Sequence, residues 1–298
     1  DYYASRGLGD VYKRQMIYKA VQQIMLGTVC KTELQTKETL TTIKAAGYDG
    51  IELNGFMIRP TPFLVRMLTK FSGMPVGKGG NYNWKELIQQ SQLNVVSIHE
   101  DLGTIQRDPD FVIQETKDFR TDTIVITGMY RFDYSDRKAV SKLAQDLNNA
   151  GEQLKQAGVQ LLYHNHNCEF RKIDSQMTAY DFLIQETNPD VVGFEFDSYW
   201  PTESGVSALQ IMKQLGNRMK LYHINDRGTR LTGPSMTPIL KSDSIELGCG
   251  NMNLTALIEQ AVQADVSAII LESHKNWIEK SPIKSLQKSA EFLDAHLG

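Results

Sequence analysis

Residues 156–170 read QAGVQLLYHNHNCEF, and their reading decides the fold. Ala157-Gly158 closes a long amphipathic run, and glycine is the residue that takes a left-handed helix C-cap without a Cβ penalty. Val159 to His164 then make a short run, largely apolar, as expected of a strand buried on both faces. His164, His166, Cys168 and Glu169 crowd the end of that run. Helix, buried strand and polar strand end, in that order, describe one βα unit of a parallel sheet.

The same order recurs along the chain. Candidate strands are QIMLGTV (23–29), YDGIEL (48–53), NVVSIH (94–99) and DTIVIT (122–127). Four more are VQLLYH (159–164), DVVGFEFD (190–197), MKLYHI (219–224) and VSAIILE (266–272). Helical patterns lie between them at 33–46, 84–93, 109–119, 136–157, 177–187, 206–215, 254–264 and 283–296. Eight strands each followed by a helix predict an α/β protein, a single (β/α)8 TIM barrel, occupying residues 16–298. The segment ahead of it, DYYASRGLGDVYKRQ (1–15), has no helix or strand period. It resembles translated library-adapter sequence, and it is expected to be a non-native tail outside the catalytic domain.

Two connections exceed what a barrel needs: residues 54–83 after strand 2 and 225–253 after strand 7. Both fall at the C-terminal face, where barrels build substrate pockets. Glycines 73, 77, 79 and 80 predict mobility in the first, and a tolerated surface insertion is the plain alternative for each.

Composition narrows the class. Of the 298 residues, 41% are hydrophobic and 22% charged, ordinary for a globular protein with a sizeable core. A formal net charge of −3 with no basic block gives no sign of nucleic acid or a membrane surface as partner. No window of about eighteen apolar residues offers a membrane span. The 3 cysteines are odd in number and far apart, which fits a reducing, cytoplasmic setting better than a disulfide framework.

Chemistry concentrates at four consecutive strand ends. Strand 5 leads to His164, His166 and Glu169, strand 6 to Glu195, Asp197 and Trp200, strand 7 to His223 and Asp226, strand 8 to Glu272. One buried imidazole or carboxylate would ordinarily be a satisfied core group. Four in register are harder to explain, because unpaired buried charge costs several kcal/mol. A divalent cation relieves that cost, and a donor set rich in carboxylate oxygen suits Mn²⁺, with Mg²⁺ or Co²⁺ as alternatives.

The blocks YHNHNCEF, GFEFDSYW, LYHIND and ELGCGNMN resemble the signatures of the sugar phosphate isomerase/epimerase family, the xylose-isomerase-like barrels. The likeness runs from Met16 through essentially the whole chain and is closest to a YHNHNFEF-type subgroup, with Cys168 where that pattern has Phe. It implies one metal held by a Glu, Asp, His, Glu set, which Asp197, His223 and Glu272 match directly. Glu169 is the expected strand 5 ligand, with His164 or His166 as the alternative. Period-two alternation turns His164 and His166 inward, where they serve as a supporting group and an acid/base. The proton-moving groups are then drawn from His166, Glu169, Glu272 and His164.

Around them His99, Glu52, Trp200 and Arg227 are candidate substrate contacts, set against plain packing or core polar roles. Glu195 is a candidate support for the metal, and His274 and Lys275 belong either to the rim or to solvent. No GxGxxG or GxxxxGK cradle for phosphate is present. The implied activity is a metal-dependent sugar isomerase or epimerase working through an enediolate on a keto-sugar or keto-glycoside, as a monomer or a homo-oligomer. A lyase or dehydratase of the same superfamily, or a non-catalytic sugar-binding barrel, is the alternative. The apurinic endonucleases of this fold need more histidines than the 6 present.

Overall fold

The structure, a computed structural model, describes residues 16–60, 79–230 and 233–297. Eight strands close a parallel barrel: β1 Tyr18–Gln22, β2 Gly50–Asn54, β3 Asn94–Glu100, β4 Thr123–Thr127, β5 Gln160–His164, β6 Val192–Asp197, β7 Met219–Ile224 and β8 Ala268–Leu271. Neighbours in sequence are neighbours in the sheet, and β1 pairs with β8 to close it. The packed helices are α1 Glu33–Ala45, α2 Trp84–Ser91, α3 Pro109–Phe119, α4 Arg137–Gln156, α5 Ala179–Glu186, α6 Ala208–Leu215, α7 Leu254–Gln263 and α8 Pro282–Leu297. Among the described residues no helix is long and apolar enough to cross a membrane.

Local chemistry explains where the helices start and stop. The Thr32 hydroxyl accepts from Gln35 N–H ahead of α1, Asp136 caps α4, and Thr178 with Asp181 forms a reciprocal capping box on α5. Gly47 and Gly158 follow α1 and α4 with φ of +96° and +75°, the left-handed conformation expected of AAG and QAG. Gln92 and Arg120 take the same conformation after α2 and α3 without being glycine, which no sequence signal announces.

The first strand lies earlier than expected. QIMLGTV (23–29) is not a strand: Gln23–Leu26 is a 3₁₀ turn, and YKAVQ (18–22) pairs with β8 and β2 instead. Gln22 terminates the strand by accepting Ile24 N–H at 2.8 Å, while Gln23 accepts Asn54 N–H at 2.7 Å. Met25 and Leu26 are buried against the outer core, so the apolar run reflects packing and not extension.

Two cores result from period-two alternation. A large one lies between strands and helices, and a small one fills the barrel floor with Ala20, Val125, Leu162, Leu221, Ala268 and Ile270. Of the long connections, the first contributes a helical turn at Gly55–Ile58 and a 3₁₀ turn at Gly79–Asn81. The expected tail (1–15) and the loop glycines 73 and 77 lie outside the described residues. In the second connection, Asp226–Gly228 pairs antiparallel with Asp243–Ile245. Asp226 there accepts the N–H groups of Arg227, Gly248, Gly250 and Met252, pinning the ELGCGNMN block. Cys30, Cys168 and Cys249 are all free thiols.

Candidate metal centre

Two residues beyond five of the six floor residues the same inward face turns polar. Ala20 leads to Gln22, Val125 to Thr127, Leu162 to His164, Leu221 to His223 and Ile270 to Glu272. The alternation that builds the floor thus delivers the cluster above it. His164, Asp197, His223 and Glu272 each offer a donor atom within 4.8 Å of all the others, and all four are buried. A second group of His99, His164, Glu195 and His223 shares both histidines with the first.

Glu195 and Glu52 sit beneath the two shared imidazoles. Glu195 Oε2 lies 2.9 Å from His164 Nδ1, 2.9 Å from His99 Nε2 and 3.2 Å from His223 Nε2. Glu52 Oε2 lies 2.6 Å from His223 Nε2 and 3.1 Å from the amide of Gln22, and Ser97 donates to its other oxygen. His99 Nδ1 meets the Thr127 hydroxyl at 2.7 Å. Carboxylates below hold the N–H on the lower nitrogens, so His164 Nε2 and His223 Nδ1 face upward as donors. His223 Nδ1 lies 2.8 Å from Glu272 Oε2.

The electrostatics are those of a site that wants positive charge. Burial, reinforced by the neighbouring Glu272, pushes the Asp197 carboxyl well above the carboxylate range. Its Oδ1 accepts Tyr199 N–H at 2.7 Å, while its Oδ2 is buried with no hydrogen-bond partner. Burial works against the His99 imidazolium, but Glu52 and Glu195 outweigh it and raise the group to about 10. Burial likewise opposes ionisation of Glu195, yet His223 and His99 hold its carboxyl well down. An orphaned carboxylate oxygen among two imidazoles and a second carboxylate fits a divalent cation, and the N₂O₂ donor set favours a first-row transition ion over Mg²⁺.

At the mouth, Trp200 stands between His166 and His274, its ring 5.5 and 6.2 Å from theirs. His166 also packs edge-on against His164 at 5.0 Å. Burial, then the nearby His164, lower the His166 imidazolium to about 3, so the ring is neutral. His274 Nε2 lies 3.5 Å from Glu272 Oε1 and belongs to the rim.

Four expected site residues are placed otherwise. Glu169 is buried but does not join the cluster: its oxygens are engaged by Tyr163, Cys168 and the backbone of His166. His164 occupies the strand 5 position instead, because it is the last residue of β5 still in inward register. Glu52 and His99 lie under the imidazoles, their polar atoms spent on one another's neighbours. Arg227 pairs with Glu203 at 2.6 Å. Sequence reasoning missed Asn165, whose amide clamps the main chain of Asp197 from both sides at 3.0 and 3.1 Å. Its only signal was its place between the two histidines of the YHNH block.

Fold and site define a class: a (β/α)8 barrel with an imidazole–carboxylate cluster at its C-terminal mouth. The family profile described as xylose isomerase-like TIM barrel matches residues 40–296, and the chain belongs to that family. Over 105 residues it is 30% identical to an inosose dehydratase of Clostridium perfringens, a match that spans 35% of this chain and 33% of that protein. A sugar phosphate isomerase/epimerase from Parabacteroides distasonis shares the fold at 19% identity and a TM-score of 0.69, over 99% of this chain and 98% of that one. The IOLI protein, solved with a zinc atom bound, superposes with a TM-score of 0.64 at 14% identity, over 93% of this chain and 97% of its own.

Proposed function

We propose that the protein is a divalent-metal-dependent isomerase or epimerase of a small keto-sugar or keto-glycoside, with His164, Asp197, His223 and Glu272 holding one cation. The observation that carries this reading is the orphaned, buried Oδ2 of Asp197 inside a four-donor group. A bound divalent ion supplies Lewis-acid polarisation of a substrate carbonyl and its neighbouring hydroxyl. A first-row ion such as Mn²⁺, Co²⁺ or Zn²⁺ suits two imidazoles and two carboxylates.

The chain's own groups do the rest. Trp200 offers an apolar face for the sugar ring, and the flanking His166 takes the proton from the carbon beside the carbonyl. Glu195 and Glu52 keep the two ligand imidazoles in the tautomer that presents a lone pair upward. Return of the proton to the same carbon from the other side gives an epimer, and its return to the neighbouring carbon gives an isomer.

A β-elimination is the second reading, favoured by the partial match to a protein named inosose dehydratase. It starts from the same proton abstraction. The test is a panel of ketoses, inososes and 3-keto-glucosides in D₂O, with the enzyme stripped of metal and resupplied with Mn²⁺, Co²⁺, Zn²⁺ or Mg²⁺. Metal-dependent deuterium uptake at the carbon beside the carbonyl is the expected result, and an epimer or an unsaturated product names the reaction. Uptake undiminished in metal-free enzyme would refute the metal role, and none with any metal would leave a sugar-binding barrel.

A further inference from the structure

The geometry points to Glu169 as the positioning residue of His166, an anchor that holds the base in place without touching the cation. The inference rests on the function proposed above, since it concerns the imidazole assigned there as the base.

Glu169 is fully buried, and a buried carboxylate is costly unless its lone pairs are satisfied. Here they are, by a chain of donors whose direction is fixed. Met129 N–H donates to the Tyr134 hydroxyl at 2.9 Å, which meets the Tyr163 hydroxyl at 2.8 Å. Tyr163 in turn donates to Glu169 Oε1 at 2.8 Å. Each hydroxyl has one proton to give, so the chain runs one way and ends on the carboxylate. The other oxygen accepts His166 N–H at 2.9 Å and the Cys168 thiol at 3.1 Å.

Tyr163 belongs to the outer core and His164 to the inward face, so Glu169 reads the outer side of β5. The 3₁₀ turn at Cys168–Phe170 folds the chain back to bring it there. What it grips is the backbone of residue 166, past the point where strand pairing fixes the main chain. Gly128, at the end of β4, closes in from the other side. A Cβ there would lie 3.0 Å from Glu169 Oε1, 3.1 Å from the Tyr134 hydroxyl and 3.5 Å from His166 Nδ1. Tyr134, Tyr163, Glu169 and Gly128 therefore form one bracket around His166, and they tie the β4 and β5 loops together.

The experiment compares Glu169→Gln, His166→Ala and the double variant for cation content, kcat, KM and the backbone amide proton signal of His166. Glu169→Gln puts a neutral amide oxygen, or an amide N–H, where His166 N–H now meets a carboxylate, and either weakens that hydrogen bond, so the variant should shift that signal upfield and leave cation content at the wild-type level. It should lower kcat by up to about 10²-fold, the scale of a misplaced catalytic group, with KM unchanged. In the His166→Ala background it should cost nothing further. Loss of the cation with Glu169→Gln, losses that multiply in the double variant, or an unmoved amide signal would each overturn the anchor. A merely structural role would lower the melting temperature and leave kcat alone. If Glu169→Gln does not fold, Tyr163→Phe removes one donor and should give the same pattern in weaker form. If His166→Ala turns over like wild type, the base assignment fails, and the amide signal with the cation content still judges the anchor.

Discussion

Asp197 shows how a residue becomes legible. Its place at the end of an apolar strand marks it in the sequence, and the structure adds that one of its buried oxygens has no partner. Asp197→Asn and His164→Ala are expected to lose the cation outright, measured by metal analysis after desalting. Retention of full metal by His164→Ala would return the strand 5 position to Glu169. Glu195→Gln should weaken cation affinity by about 10- to 100-fold, the usual consequence of removing the acceptor behind a ligand imidazole, as read by competition with a chelator. Asp197, His223 and Glu272 could be picked from the sequence because each lies on or directly after a strand, where period two holds. Glu169 could not be placed, because the chain leaves β5 at His164 and turns through a 3₁₀ helix, where alternation stops predicting direction.

At the scale of elements, amphipathic period and caps located the helices to within a few residues, while the first strand was misread. An apolar run looked like extension, but two buried glutamines decided where β1 ends. Packing also reverses an ordinary rule in α4. Gly→Ala in a helix interior usually stabilises by about 1 kcal/mol, yet a Cβ at Gly151 would lie 2.4 Å from the carbonyl oxygen of Val191. Gly151→Ala should therefore destabilise by about 1–3 kcal/mol, the cost of overpacking, in urea unfolding. In α3, Glu115 has Oε1 3.4 Å from Arg59 Nε and Oε2 buried without a hydrogen bond. Burial raises its carboxyl, Arg59 partly offsets this and Glu100 adds to it, leaving it at about 7 against an ordinary 4.5. The folded state thus keeps a proton that the unfolded chain releases, so stability should fall as pH rises from 4.5 to 7 and stay lower above. Glu115→Gln should raise the melting temperature at pH 8 and change it little at pH 4.5; equal shifts at both would refute this.

For the whole molecule, the cluster joins the ends of β5, β6, β7 and β8, so a cation bound there stabilises the closed barrel as a unit. Free cation at a hundredfold excess over Kd should add about 2.7 kcal/mol, seen as a higher melting temperature that EDTA reverses. An unchanged melting temperature in saturating Mn²⁺, Co²⁺ and Zn²⁺ would count against a cation at this place. The sequence by itself determined the barrel, because eight repeats of buried strand and capped helix leave a parallel sheet no other way to cover both faces. It also indicated which strand ends converge on the buried cluster, since side-chain direction along a strand is a local property. The tertiary structure alone decided that Glu52 and His99 lie beneath the imidazoles, that Arg227 turns to Glu203 and that Glu169 grips the backbone of His166. Those outcomes depend on strand tilt, register between neighbours and the path of loops after the last paired residue. They are set by contacts between distant segments such as Glu52 with His223, 171 residues apart, which no local pattern encodes.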